Sequence, residues 1–547
     1  MARIITIFFA FACILGLPFV FKKEQRIIRN PDATVIIVSP HTESIRTEFA
    51  HGFREWYRAR TGKEVYIDYR NVGGTSEILK YLDSQYANNF KNYWTGTLKR
   101  AWNEDVQAGF GNSKVTLDAT PEDDTLAEAA RRAFLSSDVT CGIDVFFGGG
   151  SYDFVRQKGR GQFIDSDVLK NHPEYFGEYP SGIPLTFAGE PFYDKDGLWF
   201  GTVLSSFGII YNRVCLQNLG VEKEPSQWED LANPMLYGQV SLADPTKSGS
   251  ANKAFEMIVQ VCILRELKKT PQDEKGAIRR GWITAMQLTQ QISGNARYFT
   301  DSSQKPNIDI AMGDCAAGMS IDFYGRFQGE VLEKRSGEAR FNYITPLGAS
   351  TVSVDPMALM RGAPNSETAK LFMEYVMSPS GQALWNLKVG AQATVTLPNG
   401  QKESVKGPVQ FTLRRPPTSP LYYTAEFADL RTDPTVNPYL DAGDFRYHAE
   451  WTSHLFTERA LIIRVAFIDL HPELKQAWKA LIDNGFPPEA MAKFSDMSVI
   501  SYDETQGEIK KALGNKDKIA VVQFTRELSK HFREQYLEAE RLAKAKR

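Results

Sequence analysis

Four short stretches rich in glycine and hydroxyl residues carry most of the chemistry legible in this chain. They are Ser39-Pro40-His41-Thr42, Gly73-Gly74-Thr75-Ser76, Gly148-Gly149-Gly150-Ser151 and Thr246-Lys247-Ser248-Gly249-Ser250. Each lies at the end of a strand-like run, most of them just before a helix-like one. The first turn of a helix leaves backbone N–H groups unpaired at the positive end of its dipole. Small residues let a ligand approach that backbone, and hydroxyls add donors, so such a loop can hold an anion. Ser and Thr also cap helices for purely structural reasons, and no single loop decides between the two roles. Four loops in the same relation to a sheet point to a crevice at the carboxyl ends of its strands. The candidate ligand contacts are Ser39, His41, Thr42, Gly74, Thr75, Ser76, Gly149, Gly150, Thr246, Ser248, Gly249 and Ser250. Asp322, Tyr324 and Arg326 join them: a carboxylate, a phenol and a guanidinium leave the end of one strand together. The alternative there is a turn around a core phenylalanine.

Enzyme motifs are missing. The chain has no G-x-S-x-G, no H-E-x-x-H and no P-loop lysine. Of its seven histidines only His41 falls in one of the four loops. None of the five cysteines forms a C-x-x-C, so zinc has no spacing support. Cys141, Cys215, Cys262 and Cys315 suit either an oxidising compartment or buried thiols. No catalytic residue, metal or cofactor is predicted.

The elements that must position these loops follow a strand–loop–helix rhythm. Val35–Val38 is a short apolar run between prolines, and Ile45, Phe49, Phe53 and Tyr57 then recur at helical spacing up to Gly62. Val65–Tyr69 and the apolar residues from Ile78 repeat the unit, which is the pattern of an α/β fold with parallel strands. Residues from about 85 to 141 are more polar and read as an insertion, helical over Leu126–Leu135. Further strands are expected at Asp144–Phe147, Gly208–Tyr211, Val240–Ala243 and Ala316–Ile321, with Pro346–Leu359 extended. Helices are expected at about Ser250–Lys268 and Ser366–Met377, and a hairpin over Thr394–Val409. A helical tail follows, over Glu458–Ile482 and Arg526–Lys546.

A length of 547 residues implies two or more domains or lobes. The balance of 64 Lys and Arg against 66 Asp and Glu gives nucleic-acid binding no support from global charge. Ile4–Phe21 is uncharged and mostly apolar, which predicts a signal peptide or membrane anchor over residues 1–24. The basic residues after it oppose translocation by the positive-inside rule.

Taken in order, these loops resemble the periplasmic solute-binding proteins of ABC transporters, type 2, in the branch of ferric-ion-binding and organophosphate-binding members. The matching stretches are Val35-Ile-Ile-Val-Ser-Pro-His41, Gly73-Gly-Thr-Ser-Glu77, Asp144-Val-Phe-Phe147, Ser226-Gln-Trp-Glu-Asp-Leu231, Tyr237 through Ser250, Met312-Gly-Asp-Cys-Ala-Ala-Gly318 and Ser378-Pro-Ser-Gly-Gln382. The resemblance implies an α/β, two-lobed fold with central mixed sheets, hinge crossover strands and a helical C-terminal extension. Lobe 1 would take 31–200, with the insertion, and a return segment 343–410. Lobe 2 would take 201–342 and a closing segment within 411–547. The implied protein is a periplasmic or extracytoplasmic monomer, tethered if the N-terminal segment is kept. It would capture a small anionic solute bearing phosphate, phosphonate or carboxylate and deliver it to an ABC permease, with no nucleic-acid partner. Iron carriage is the rival within the family. Of the iron ligands only His41 and Tyr324 match; glycines replace a Glu and Phe323 replaces a Tyr, which argues against the standard ferric site. Thr246, Ser248, Gly249 and Ser250 match the family's anion loop. From other classes, a periplasmic phosphohydrolase or a membrane-tethered sensor are the alternatives.

Overall fold

The computed structural model describes residues 31–117, 120–337, 340–443, 445–515 and 517–545. The predicted signal peptide or anchor lies outside the described residues. In chain order the strands are β1 (Ala33–Val38), β2 (Val65–Arg70), β3 (Val145–Phe147), β4 (Phe163–Ile164), β5 (Thr186–Phe187), β6 (Glu190–Pro191), β7 (Phe200–Asn212) and β8 (Val240–Ala243). β9 (Ala296–Thr300), β10 (Ala317–Ile321), β11 (Phe341–Ile344), β12 (Val352–Met360), β13 (Gln392–Thr396) and β14 (Lys402–Lys406) complete them.

One sheet path runs β2-β1-β3-β12-β7-β10-β8-β9. β1 pairs in parallel with β2 and β3, and β8 in parallel with β9 and β10. The two parallel groups are joined by antiparallel strands. The first part of β7, Phe200–Ser206, pairs with β12, while Phe207–Asn212 pairs with β10 and β11. One strand therefore serves both lobes. Two hydrophobic cores lie on either side of this passage, one built on β1–β3 and β12, the other on β8–β10. The chain passes back between β11 and β12. It leaves the first core for good between Ala442 and Phe445.

The helix Glu43–Thr61 buries Ile45, Phe49, Phe53 and Tyr57, the spacing seen in the sequence, and ends at Gly62 in the left-handed conformation. The helix from Thr75 continues past Gln85 to Asn92 and carries Tyr86 and Phe90 into the first core. Phe110 stacks on Phe90 and Phe134 meets it edge-on, at ring distances of 4.9 and 5.5 Å. The stretch that reads as polar is thus pinned to lobe 1 by a few widely spaced aromatics. The expected strand Gly208–Tyr211 is only the end of β7. Its earlier half holds Gly201, Thr202, Ser205 and Ser206, yet all thirteen residues are buried. Small polar residues hide a strand from hydrophobic patterning, although all four are buried alongside β12.

The tail is helical in shorter pieces than expected: Phe456–Ile463, a π-helical turn Arg464–Ile468, and His471–Asp483. The last helix, Lys518–Lys544, starts earlier than expected and buries Leu528, Phe532, Tyr536 and Ala539 in the second core.

Lobe 1 closes around a buried carboxylate. Glu48 accepts the backbone N–H groups of Val409, Gln410 and Phe411 at 2.8, 2.7 and 2.7 Å. This ties the segment after the β13–β14 hairpin to the first long helix. Removing the acceptor strands three N–H groups, each otherwise bonded to a charged partner. Glu48→Ala is expected to destabilise the protein by about 3 kcal/mol or more, read as a lowered melting temperature, with Glu48→Gln intermediate.

Candidate functional site

Because β1, β2 and β3 are parallel, the helices that follow them start at one edge of the sheet. Their N-caps are Thr42, Gly74 and Gly150, and none makes a side-chain capping bond. The loops meet there. Gly148 has φ of 100° and Gly149 of 130°, in the region that favours glycine. A Cβ on Gly148 would stand 2.7 Å from the His41 ring, and one on Gly149 would stand 3.2 Å from Thr75. Only glycines let the three loops close on one another. Ser39 is buried and accepts the His41 N–H at 3.1 Å, while Thr42 pairs with Ser44 at 2.9 Å.

Behind these loops stands a cluster from the hinge that the loop motifs did not reveal. Arg415 is fully buried and donates through Nη2 to Asp355 Oδ2 and Ser205 Oγ, both at 2.7 Å. Ser205 lies on β7 and Asp355 on β12, so the guanidinium spans the paired hinge strands. Its carbon lies 4.1 Å from the Phe323 ring centroid, which belongs to lobe 2. Arg415 Nη1 is 3.4 Å from His41 Nε2. The same Nε2 lies 3.7 Å from Asp355 Oδ2, so the ring faces both the guanidinium and its carboxylate partner. Burial lowers the His41 pKa, in keeping with a neutral ring. Nδ1 of His41 and Nε of Arg415 are buried with no partner in the protein. Burial pushes Asp355 up, but Arg415 and His41 outweigh it and hold its carboxyl below the ordinary value.

The second lobe uses its predicted residues differently. Asp244 Oδ1 accepts the Thr246 N–H at 2.8 Å and its hydroxyl at 2.6 Å. Arg464 binds Asp244 Oδ2 at 2.9 Å, so Thr246 belongs to an internal network. Ser248 caps its helix by accepting the Ala251 N–H. Asp322 is buried, and Arg326, one turn on, folds back onto it. Burial raises the Asp322 pKa against the pull of Arg326 and Arg415. Burial also raises the Tyr324 phenol, against Arg415 and a bond from Gln304. The structure therefore brings His41, Thr75 and Gly149 together on lobe 1 and sets Phe323 and Tyr324 against the hinge arginine. Thr246 and Arg326 are turned to partners of their own. Among the described residues no group of three or more His, Cys, Asp or Glu is placed to hold a metal ion.

The lobes also touch beside these loops. Tyr152 stacks on Phe456 with ring centres 4.4 Å apart. The Asp153 carboxylate reaches the start of the helix Gly249–Lys269, 3.8 Å from where a Gly249 Cβ would lie.

Residues 141–408 match the profile of the bacterial extracellular solute-binding proteins. Through this stretch, just under half of the chain, it is similar to that family. The family is one of transport-associated binding proteins. A Haemophilus influenzae protein described as uncharacterized is 28% identical over 241 residues, which are 44% of this chain and 60% of the relative. The phosphoglycerate transport regulatory protein PgtC of Salmonella typhimurium is 24% identical over 181 residues, 33% of this chain and 39% of the relative. The match thus spans less than two thirds of either relative. Among solved structures, the periplasmic binding protein AfuA of Actinobacillus pleuropneumoniae, described with fructose-6-phosphate bound, is 15% identical, with 80% of this chain and 99% of that chain covered at a TM-score of 0.46. No helix among the described residues is long and apolar enough to cross a membrane. Arg415, Phe456 and Arg464 all lie beyond the family match, so the chain completes its hinge and cleft with residues the profile does not include. Their signal in the sequence was slight: Arg414-Arg415 before two prolines, and one carboxylate, Asp355, in an apolar extended run.

Burial between the lobes pushes the Asp153 carboxyl up to about 6, against the pull of Arg156 on its own helix. The folded, closed chain therefore keeps this proton to higher pH than the unfolded chain. Burying Asp153 costs little below the ordinary carboxylate range and costs progressively more as pH rises through about 6. Asp153→Asn is expected to melt above the parent at about pH 7.5. The difference should shrink towards zero as the pH falls to about 4, followed by scanning calorimetry across that range.

Proposed function

We propose that this protein captures a small anionic solute in its interlobe cleft, outside the cytoplasm, and hands it to an ABC permease. The observation that carries the reading is the meeting of three helix starts without side-chain caps at the carboxyl edge of β2-β1-β3. Their free N–H groups and dipoles favour an anion. Two buried polar atoms without a protein partner, the donor Arg415 Nε and the ring nitrogen His41 Nδ1, stand behind the same edge. Backbone N–H groups and one arginine would receive the head group, and the second lobe would close over it about the hinge. The carboxylates of Glu77 and Asp153, each in the first turn of one of these helices, set a negative background. That background favours a single phosphate ester, phosphonate or carboxylate group over a polyphosphate carrying more charge. Ser39, Thr75, Ser76, Gly149, Gly150, Gly249 and Ser250 remain the proposed contacts, with Thr246, Ser248 and Arg326 supporting the walls.

A thermal-shift screen of phosphate esters, phosphonates, carboxylates and inorganic oxyanions tests the reading. A ligand present at a hundred times its Kd should stabilise the protein by about 2.7 kcal/mol. If no oxyanion moves the melting transition, the reading fails. Thr75→Asp places a carboxylate at the site while suiting a first helical turn. It should weaken binding of the best screened anion about tenfold or more and leave the unliganded melting temperature unchanged or higher.

A further inference from the structure

Two aromatic rings meet across the lobes beside the proposed anion site. Tyr152 stands in the first turn of the helix Ser151–Arg160, one of the three lobe 1 helices whose starts converge. Phe456 opens the helix Phe456–Ile463 of lobe 2. Their rings stack with centres 4.4 Å apart and planes 24° from parallel. Both residues are half-buried.

The lobe 2 ring is held from behind. Asn252, in the first turn of the helix Gly249–Lys269, donates through Nδ2 to the Phe456 carbonyl at 2.8 Å. Arg459 donates to Asn252 Oδ1 through Nε at 3.2 Å and Nη2 at 3.0 Å, and its guanidinium carbon lies 5.1 Å from the Phe456 ring centre. Asn252 and Arg459 are both buried. Phe456 is thus fastened to the start of the lobe 2 helix that the Asp153 carboxylate reaches, and Tyr152 immediately precedes Asp153. The stack joins two helix starts, one from each lobe, and parting those starts parts the rings.

A second bond between the lobes is placed differently. Glu190 of lobe 1 accepts from Lys253 Nζ at 2.7 Å and from Thr351 Oγ1 at 3.1 Å. Thr351 lies on the passage between β11 and β12, so this pair sits at a crossing. Neither Tyr152 nor Phe456 belongs to a crossing segment. When the lobes part, each of these rings returns apolar surface to water and loses the stacking of the other.

We propose that Tyr152 and Phe456 form a clasp that holds the interlobe cleft shut and sets how often it opens, and with it the rate at which solute exchanges. The clasp acts on the lobes and needs no contact with the solute. It rests on the reading of the cleft as the binding site, and its test uses no ligand.

The test measures the separation of the lobes in the full chain, solubilised in detergent. Nitroxide labels on Lys80→Cys, in the helix Thr75–Asn92, and on Lys268→Cys, in the helix Gly249–Lys269, report it by pulsed electron resonance; both positions are exposed. Cys13→Ser and Cys215→Ser remove competing thiols, and Cys141, Cys262 and Cys315 are buried. The parent should show chiefly the separation of this structure. Tyr152→Ala and Phe456→Ala should each raise the ratio of open to closed chains about fivefold. The double variant should go no further than the larger single one, because both substitutions remove the same contact. Tyr152→Phe keeps the ring and should match the parent. An unchanged distribution in both alanine variants overturns the inference, as do effects that multiply in the double variant, a Tyr152→Phe protein that opens like Tyr152→Ala, or a parent already mostly open. A lowered melting temperature with an unchanged distribution marks a merely structural contact and overturns it too. Each of these outcomes leaves the anion site to the thermal-shift screen.

Discussion

Everything in this molecule is arranged about one buried strand that two lobes share. β7 pairs with β12 over its first half and with β10 and β11 over its second, and every residue of it is buried. A strand laddered into both lobes cannot slide without breaking hydrogen bonds in one of them, so relative motion of the lobes is confined to bending at the crossing. Arg415 is fastened to that crossing. Its bonds to Ser205 and Asp355 tie the two hinge strands together, and its flat face carries Phe323 from the far lobe.

The electrostatics of the cleft follow from this attachment. Arg415 is matched by Asp355, and His41 is kept neutral by burial, so the hinge carries almost no net charge. What remains to act on a ligand is directional: helix starts, and N–H groups without partners. A near-neutral chain can therefore present an anion site. Basic surface is unnecessary where backbone dipoles converge, and the carboxylates nearby limit how much negative charge the site tolerates.

The C-terminal extension is built into the binding architecture. Phe456 stacks across the cleft on Tyr152, Arg464 fastens the Asp244–Thr246 loop, and Asn252 of the lobe 2 helix is held by Arg459. The final helix packs into the second core through Phe532 and Tyr536. Phe456, Arg459, Arg464, Phe532 and Tyr536 all follow the stretch matched by the family profile, so lobe 2 depends on sequence outside that stretch.

The βα rhythm, the register of the first helix and the glycine-rich loops were legible in the sequence because each is local. Apolar spacing reports which face of a helix is buried, and a glycine with a neighbouring serine reports a tight turn before a helix. The first half of β7 was not legible, since Gly201, Thr202, Ser205 and Ser206 are buried by pairing partners far away in the chain. Nor was the fate of Thr246 and Arg326, whose types suit a ligand but whose bonds go to Asp244 and Asp322. The sequence by itself determined which segments become strands and helices and where backbone donors lie exposed at helix starts. The tertiary structure alone decided which donors stay free and which meet, because residues as distant as His41, Asp355 and Arg415 are joined only once two lobes close around a common strand.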